Sequence, residues 1–181
     1  MKTVKVFRRA CLAVLAVVGV AVATPSSAQV GPFETSLDHF TCYKGKVSKG
    51  SNQIKTTDPT LTLNDALESG TYGGLKEAGM CLPSNKNSEG MIDEATHLTS
   101  YKLKGLTTTP GLSNPHHAYN QFGKITLDTG KPSRLLVPAN KSATTTPPAP
   151  DAASHNVDHY KCYKAKVTKD TPKLPAGLVV S

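Results

Sequence analysis

A seven-residue motif first appears in this chain as Asp38-His39-Phe40-Thr41-Cys42-Tyr43-Lys44. Related segments follow at 96–102 and at 158–164, and the last of them reads Asp-His-Tyr-Lys-Cys-Tyr-Lys. A second motif, which we call the closing motif, follows each of the first two copies. It reads Cys-Leu-Pro-Ser-Asn-Lys at 81–86 and Leu-Val-Pro-Ala-Asn-Lys at 136–141. Self-similarity along a chain indicates an architecture assembled from repeated units. The two pairs of motifs therefore define two half-repeats.

Both cysteines of the motifs change together between the two halves. Cys42 and Cys81 of the first half align with Ser100 and Leu136 of the second. Joint loss is expected of a bonded pair, because one half of a bridge alone is a useless thiol, so we predict a Cys42–Cys81 disulfide. Closing a loop of about 40 residues contributes about 4 kcal/mol on the chain-entropy model. Two reduced cysteines or metal ligation are the alternatives, although the second half keeps its histidine while lacking both sulfurs.

Cys162 has no equivalent of Cys81, because the corresponding position would lie 39 residues later, at 201. A bridge between molecules, a free thiol, or a chain that ends within a further repeat are the three alternatives. The sequence favours the last of these, since residues 173–181 finish on an apolar run without a closing motif.

Residues 1–28 have the three parts of a secretory signal peptide. Four basic residues precede an apolar run at 10–23, and Ser26-Ser27-Ala28 supplies small residues before the expected cleavage site. This pattern predicts a secreted or periplasmic protein, in a compartment where disulfides form. After cleavage the sequence contains no apolar run long enough to span a membrane.

The charge of the chain is modest once the signal is removed. Loss of its four basic residues leaves 17 basic and 13 acidic residues, a net charge of +4. Arg134 is then the single arginine, and the lysines are scattered along the sequence. Nucleic-acid recognition usually needs clustered basic residues, so we discount it. Scattered lysines instead indicate solvated strand faces and protected edges.

Composition also divides the chain into segments. Pro, Thr and Ala dominate 143–156, and such a stretch cannot bury a core, so it is typical of an extended spacer. The predicted segments are a signal peptide at 1–28, a leader at 29–36, a β-domain at 37–142 made of half-repeats 37–87 and 96–142, a linker at 143–156, and the start of a further repeat at 157–181.

Short segments rich in aromatic and β-branched residues, separated by Gly, Pro, Asn and Asp, predict an all-β fold. We expect an antiparallel sandwich or barrel whose two half-repeats are related by an approximate twofold axis. Strands are predicted at 39–47, 124–128 and 134–137, with Pro138 ending the last. One short helix is predicted at 63–68, with Asn64 as its N-cap and Gly70 beyond its end.

At these motifs the chain resembles a family of exported bacterial repeat domains of unknown function. The pattern of that family runs His, an aromatic or aliphatic residue, any residue, Cys-Tyr-Lys, then Asn-Gln-Phe-Gly, then Cys-Val-Pro-x-x-Lys. The tetrapeptide at 120–123 matches the middle element, and Asn64-Asp65 is a weaker counterpart in the first half. The resemblance covers most of 37–142 and 157–167. It implies architecture and compartment but no chemistry, and the departures at Ser100 and Leu136 imply no second bridge in the domain.

Catalytic and metal-binding motifs are not indicated. The sequence has no Gly-x-Ser-x-Gly and no His-Glu-x-x-His. His39, His97 and His159 recur three residues before the cysteine position, but this is not the spacing of a standard zinc site. We therefore expect structural histidines, no metal and no cofactor, and we place His116-His117 in a solvated loop.

Tyr43, Tyr101 and Tyr163 are the aromatic residues shared by all three copies of the motif. Sheet packing is the first interpretation, and a ligand surface formed by Tyr43, Tyr101, His97 and His117 is the second. The sequence thus predicts an exported, non-catalytic β-repeat module with a binding, surface or structural role, whose partner is an extracytoplasmic protein or a surface polymer. The alternative is a small secreted enzyme or metal-binding protein that uses the repeat histidines and the 106–120 loop.

Overall fold

The computed structural model describes residues 37–51, 60–151, 153 and 157–172. These residues form a single antiparallel sheet and no helix, which confirms the predicted all-β fold. The predicted signal peptide and leader lie outside the described residues. The strands of the sheet are β1 (Phe40–Lys44), β2 (Leu61–Asn64), β3 (Glu68–Pro83), β4 (His97–Pro110), β5 (His116–Asn120), β6 (Gly123–Ala139) and β7 (Tyr160–Val167).

The sheet is open. Its order is β1-β3-β4-β6-β5, with β2 also beside β3 and β7 also beside β6. Of the two arrangements predicted, a sandwich or a barrel, the sheet is compatible with the sandwich and is not closed into a barrel. Irregular registers interrupt the β3–β4 and β6–β7 pairs, and such bulges bend and twist long strands. The sheet curls far enough for Lys161 of β7 to reach Asp65, beside β2.

The predicted helix at 63–68 is wrong. β2 ends at Asn64, and the next residues turn directly into β3. Asp65 Oδ1 accepts hydrogen bonds from the backbone N–H groups of Leu67 and Glu68, at 2.8 and 3.0 Å. A side chain that satisfies nearby backbone donors in this way favours a turn over a helix.

The predicted loop at 106–120 is also mostly strand. β4 continues to Pro110, and His116 and His117 begin β5, where His116 pairs with Leu127. The pairing of β5 with β6 begins at the tight turn at 120–123, in which the N–H of Phe122 donates to the side-chain oxygen of Asn120. Only 111–115 connects β4 to β5.

The segments predicted as separate strands at 124–128 and 134–137 belong to one long strand, β6. Pro138 does not end that strand, since it pairs with Leu98 and the ladder continues to Ala139.

β3, which lies between β1 and β4 in the sheet, is a strand that the sequence does not predict. It contains Gly70, Gly73, Gly74 and Gly79, and glycine is unfavourable in strands. Gly79 has a φ of 156°, and a Cβ atom there would collide with the carbonyl oxygen of Tyr43. The glycine is needed because β1 approaches β3 closely at this point.

The motifs of the two halves occupy the same register positions. In the first half Cys42 lies opposite Cys81, and in the second Ser100 lies opposite Leu136. Two positions away, Phe40 lies opposite Pro83, and Leu98 lies opposite Pro138. The residues aligned by sequence are therefore also paired alike in space.

Cys42 and Cys81 form a disulfide, as predicted. Cys81 is fully buried and packs with Leu98 and Val157 in the core, against which Phe40, Leu136 and Tyr160 also pack. Val157 and Tyr160 come from the segment predicted to start a further repeat, and β7 adds its strand to the same sheet as the two halves.

Candidate functional site

A row of basic side chains crosses three neighbouring strands. Lys76 of β3 lies directly opposite Lys102 of β4, and Lys102 lies directly opposite Arg134 of β6. Directly paired residues of antiparallel strands project from the same face, with their Cβ atoms about 5 Å apart. Three positive side chains therefore stand side by side. We call Lys76, Lys102 and Arg134 the basic row.

The basic row lines a cleft of about 790 Å³. β1 and the residues after it also line the cleft, including Lys44 and Lys46. Five basic side chains thus face the cleft, against one acidic side chain, Glu77. The cleft is strongly positive even though the predicted mature chain carries a net charge of only +4.

The basic row costs stability in the free protein. Like charges directly opposite one another destabilise a sheet. None of the salt bridges found in the described part of the chain includes a residue of the row. Arg134 is held in place, since its Nη1 donates to Oγ of the buried Ser100 at 3.0 Å. A bound anion would relieve this repulsion.

A signal for the cleft exists in the sequence. If the register of Cys42 and Cys81 is extended to the second half, Ser100 lies opposite Leu136. Moving two positions along each antiparallel strand then brings Lys102 opposite Arg134, as observed. The interpretation of the lysines as scattered missed this because it considered positions along the chain and not across the sheet.

A second cluster of charged and aromatic residues surrounds Lys161. The Lys161 side chain is only 5% exposed, and its Nζ lies 2.9 Å from Asp65 Oδ2 and 3.2 Å from the backbone carbonyl oxygen of Glu68. The ring of Tyr72 lies 4.9 Å from Nζ and that of Tyr163 lies 5.4 Å away, within the range of cation–π contacts. We call Asp65, Glu68, Tyr72, Lys161 and Tyr163 the Lys161 cluster.

Hydroxyl groups complete the Lys161 cluster. Tyr163 donates to Asp65 Oδ2 at 2.9 Å, and Tyr72 donates to Glu68 Oε1 at 2.5 Å. Lys161 and Tyr163 belong to β7, whereas the other members belong to the β2–β3 turn and β3. The cluster therefore fastens β7 to a part of the sheet with which it forms no backbone ladder.

The protonation states of the Lys161 cluster follow from its contacts. Burial would lower the pKa of Lys161, but hydrogen bonds with Tyr163, Asp65 and Tyr72 outweigh it and raise that pKa. Burial would raise the pKa of Asp65, but hydrogen bonds from Lys161 and from the backbone hold it below its ordinary value. Burial raises the pKa of Tyr163. At neutral pH the lysine is therefore charged and not nucleophilic.

Acidification is expected to weaken the Lys161 cluster. Because the pKa of Asp65 lies below its ordinary value of 3.8 in the folded chain, the folded state binds this proton less readily than the unfolded state. The stabilisation is thus present above about pH 4 and lost as the pH falls through the folded-state pKa. Urea denaturation at several pH values should show a steeper acid loss for the wild type than for Asp65→Asn. Parallel pH profiles for the two proteins would contradict this expectation.

Three of the histidines considered in the sequence analysis contact a nearby polar group. His39 Nε2 lies 3.0 Å from Glu89 Oε2, and Nδ1 of the buried His97 lies 2.8 Å from the carbonyl oxygen of Ala95. His117 Nδ1 lies 3.1 Å from Thr126 Oγ1. Within the described ranges, no group of three or more His, Cys, Asp or Glu side chains is arranged to hold a metal ion.

The four residues of the alternative ligand surface lie at separate positions. Tyr43 is 59% exposed on β1, while Tyr101 is half-buried on β4, opposite Leu135 of β6. His97 is four residues from Tyr101 on β4, about 13 Å along an extended strand. His117 lies opposite Thr126 of β6, nine residues or about 30 Å of strand from Leu135. The structure does not gather the four side chains at one point.

Comparison with family models, with curated proteins and with solved structures finds no match to this chain. The resemblance to an exported repeat-domain family stays a prediction. Among the residues that the structure describes, no helix is long and apolar enough to cross a membrane.

Proposed function

We propose that this chain is an exported, non-catalytic β-repeat module that binds an anionic surface polymer in the cleft of the basic row. The observation that carries the proposal is the direct opposition of Lys76, Lys102 and Arg134 on three neighbouring strands. The signal-like N-terminus supports the compartment, and so does the Cys42–Cys81 disulfide, which is typical of oxidising environments.

The size of the row indicates the kind of anion. Three adjacent strands span about 10 Å from the first to the third. A ligand that neutralises the row must therefore present several negative groups over that distance. A polysaccharide with carboxylate or sulfate groups on successive sugars meets this requirement, whereas a single small carboxylate does not. The residues are mainly lysines, which act as point charges without a fixed bidentate geometry.

The Lys161 cluster supports the non-catalytic part of the proposal. Its amine is held in the charged form by an aspartate and by two tyrosine hydroxyls. A charged amine is neither a nucleophile nor a base. The cluster is therefore suited to holding β7 in place rather than to chemistry on a substrate.

Calorimetric titration of the full chain with polygalacturonate and with dextran sulfate tests the proposal and separates carboxylate from sulfate recognition. Lys102→Gln is expected to weaken binding about fivefold, since one charge contact is worth about 1 kcal/mol in water. The triple variant Lys76→Gln/Lys102→Gln/Arg134→Gln should lose about 100-fold on the same basis. Lys102→Gln should leave the free protein as stable as the wild type or slightly more stable, because it removes like-charge repulsion.

Lys166→Gln is the matched control, because Lys166 is exposed on β7 and does not line the cleft. It should retain nearly full affinity. If Lys102→Gln and Lys166→Gln lose affinity equally, the polysaccharide is attracted by net charge alone and the proposed site is contradicted. Equal affinity for a DNA oligonucleotide would likewise contradict a polysaccharide site.

A further inference from the structure

β7 pairs with β6 of the second half in the same register in which β4 pairs with β3 of the first half. The equivalence covers three consecutive positions on each strand. In the β3–β4 pair the three positions are Cys81↔Leu98, Met80↔Thr99 and Gly79↔Ser100. In the β6–β7 pair the equivalent positions are Leu136↔Tyr160, Leu135↔Lys161 and Arg134↔Cys162.

The irregularity that follows is repeated as well. After these three positions the β3–β4 register skips one residue of β3, so that Glu77 lies opposite Tyr101. The β6–β7 register skips one residue of β6 in the same place, so that Pro132 lies opposite Tyr163. Because a one-residue slip would turn every side chain to the other face, an identical register through an identical bulge indicates that β7 is placed as the first strand of a further unit.

The first strand of the second half, β4, has a neighbouring strand on each of its two edges. β4 pairs with β3 of the preceding half on one edge and with β6 of its own half on the other. Among the strands of the described residues, β7 pairs with β6 alone. On β4, one edge pairs with the preceding half and the other pairs with β6; the second of these edges has no paired counterpart on β7. An unpaired edge presents backbone N–H and C=O groups in the geometry that accepts another strand.

We infer that the unpaired edge of β7 is a docking site for an antiparallel closing strand, an extended segment that carries cysteine opposite Cys162 and proline opposite Tyr160. The first half shows this pairing in full, with Cys42 opposite Cys81 and Phe40 opposite Pro83. The inference therefore rests on continuity with strand pairs that exist in this fold, and it does not depend on an anion bound in the cleft.

The position of Cys162 makes it a reporter of that docking. Cys162 lies opposite Arg134, two positions from Tyr160, which packs against the core cluster. Its side chain is half-buried, and burial raises the pKa of its thiol. The thiol is therefore a poor nucleophile towards reagents in solution, so efficient coupling requires a partner that is held in register.

The probe is a synthetic peptide with the sequence of residues 75–87, which contains the closing motif of the first half. It is incubated in a glutathione redox buffer with the full chain carrying Cys11→Ser, in which Cys162 is the cysteine outside the Cys42–Cys81 bridge. In two exchange steps glutathione disulfide takes up two electrons and two protons and becomes two glutathione thiols, while the Cys162 and peptide thiols become one disulfide.

The matched control peptide exchanges the positions of Cys81 and Met80, which directs the thiol to the other face of the strand. We expect mass spectrometry to find at least about tenfold more Cys162–peptide disulfide with the native order, a difference of about 1.4 kcal/mol. Hydrogen exchange at the amides of 160–166 should also slow. A Cys162→Ser chain with a Cys81→Ser peptide should still show this slowing, because backbone pairing does not need sulfur.

Equal coupling by the native and control peptides would overturn the inference, and so would unchanged hydrogen exchange in β7. A disulfide between the Cys162 residues of two copies as the main product would overturn it too, because the partner would then be a second copy of the chain. None of these results would affect binding of anions in the cleft.

Discussion

Replacement of Lys161 by methionine is expected to lower the free energy of unfolding by about 3 kcal/mol at neutral pH. Lys161 is 5% exposed, and the carboxylates of Asp65 and Glu68 face it. Removing one partner of a buried pair costs roughly 3–5 kcal/mol because it leaves the other charge unpaired. We expect the lower end of that range because the Asp65 side chain is 32% exposed and recovers some hydration. Urea denaturation followed by circular dichroism measures the change.

Lys166→Met, an exposed position on the same strand, is the control and should stay within about 0.5 kcal/mol of the wild type. In an Asp65→Asn background Lys161→Met should cost less, since residues of one network are not additive. A loss for Lys161→Met no larger than that for Lys166→Met would show that the Lys161 cluster does not fasten β7.

Removal of the disulfide by Cys42→Ser/Cys81→Ala is expected to lower the free energy of unfolding by about 4 kcal/mol. The bridge closes a loop with a sequence separation of 39 residues, and the chain-entropy model assigns about this value to such a loop. Cys81 is fully buried and contacts Leu98 and Val157, so loss of its sulfur removes packing as well. Urea denaturation of the variant, and of wild type in reducing agent, should give similar losses.

Cys162→Ser is the control for the disulfide variant, because it removes a sulfur without opening a loop. It should cost much less than the double substitution. Retention of wild-type stability by Cys42→Ser/Cys81→Ala would mean that the strands around the bridge hold the first half together without it.

The paired motifs made the disulfide and its register predictable. Joint replacement of Cys42 and Cys81 by Ser100 and Leu136 indicated contact between the motifs, and both pairs lie directly opposite one another. Covariation between two copies within one chain is informative because each copy must satisfy the same backbone pairing.

The strand β3 and the turn after β2 were not predicted, and each has its own physical reason. β3 contains glycines, which carry no β-strand signal, and Gly79 is retained because β1 approaches it closely. At 63–68 a helix-like pattern was overridden by Asp65, whose side chain satisfies the backbone donors of a turn. Tertiary approach and turn chemistry of this kind do not appear in residue periodicity.

The cleft was not predicted because its charges are far apart along the chain. Lys76, Lys102 and Arg134 are separated by 26 and 32 residues, and only the strand pairing makes them neighbours. Extending the strand register from the cysteine pair, rather than considering composition along the chain, would have identified the Lys102–Arg134 pair of the row.

Nuclear magnetic resonance mapping of a polygalacturonate oligosaccharide on the full chain tests the central claim most directly. If the basic row is the binding site, saturable shifts of backbone amide signals should centre on Lys44, Lys76, Lys102 and Arg134, which line the cleft. Shifts spread over exposed lysines outside the cleft, such as Lys124 and Lys166, would contradict the claim.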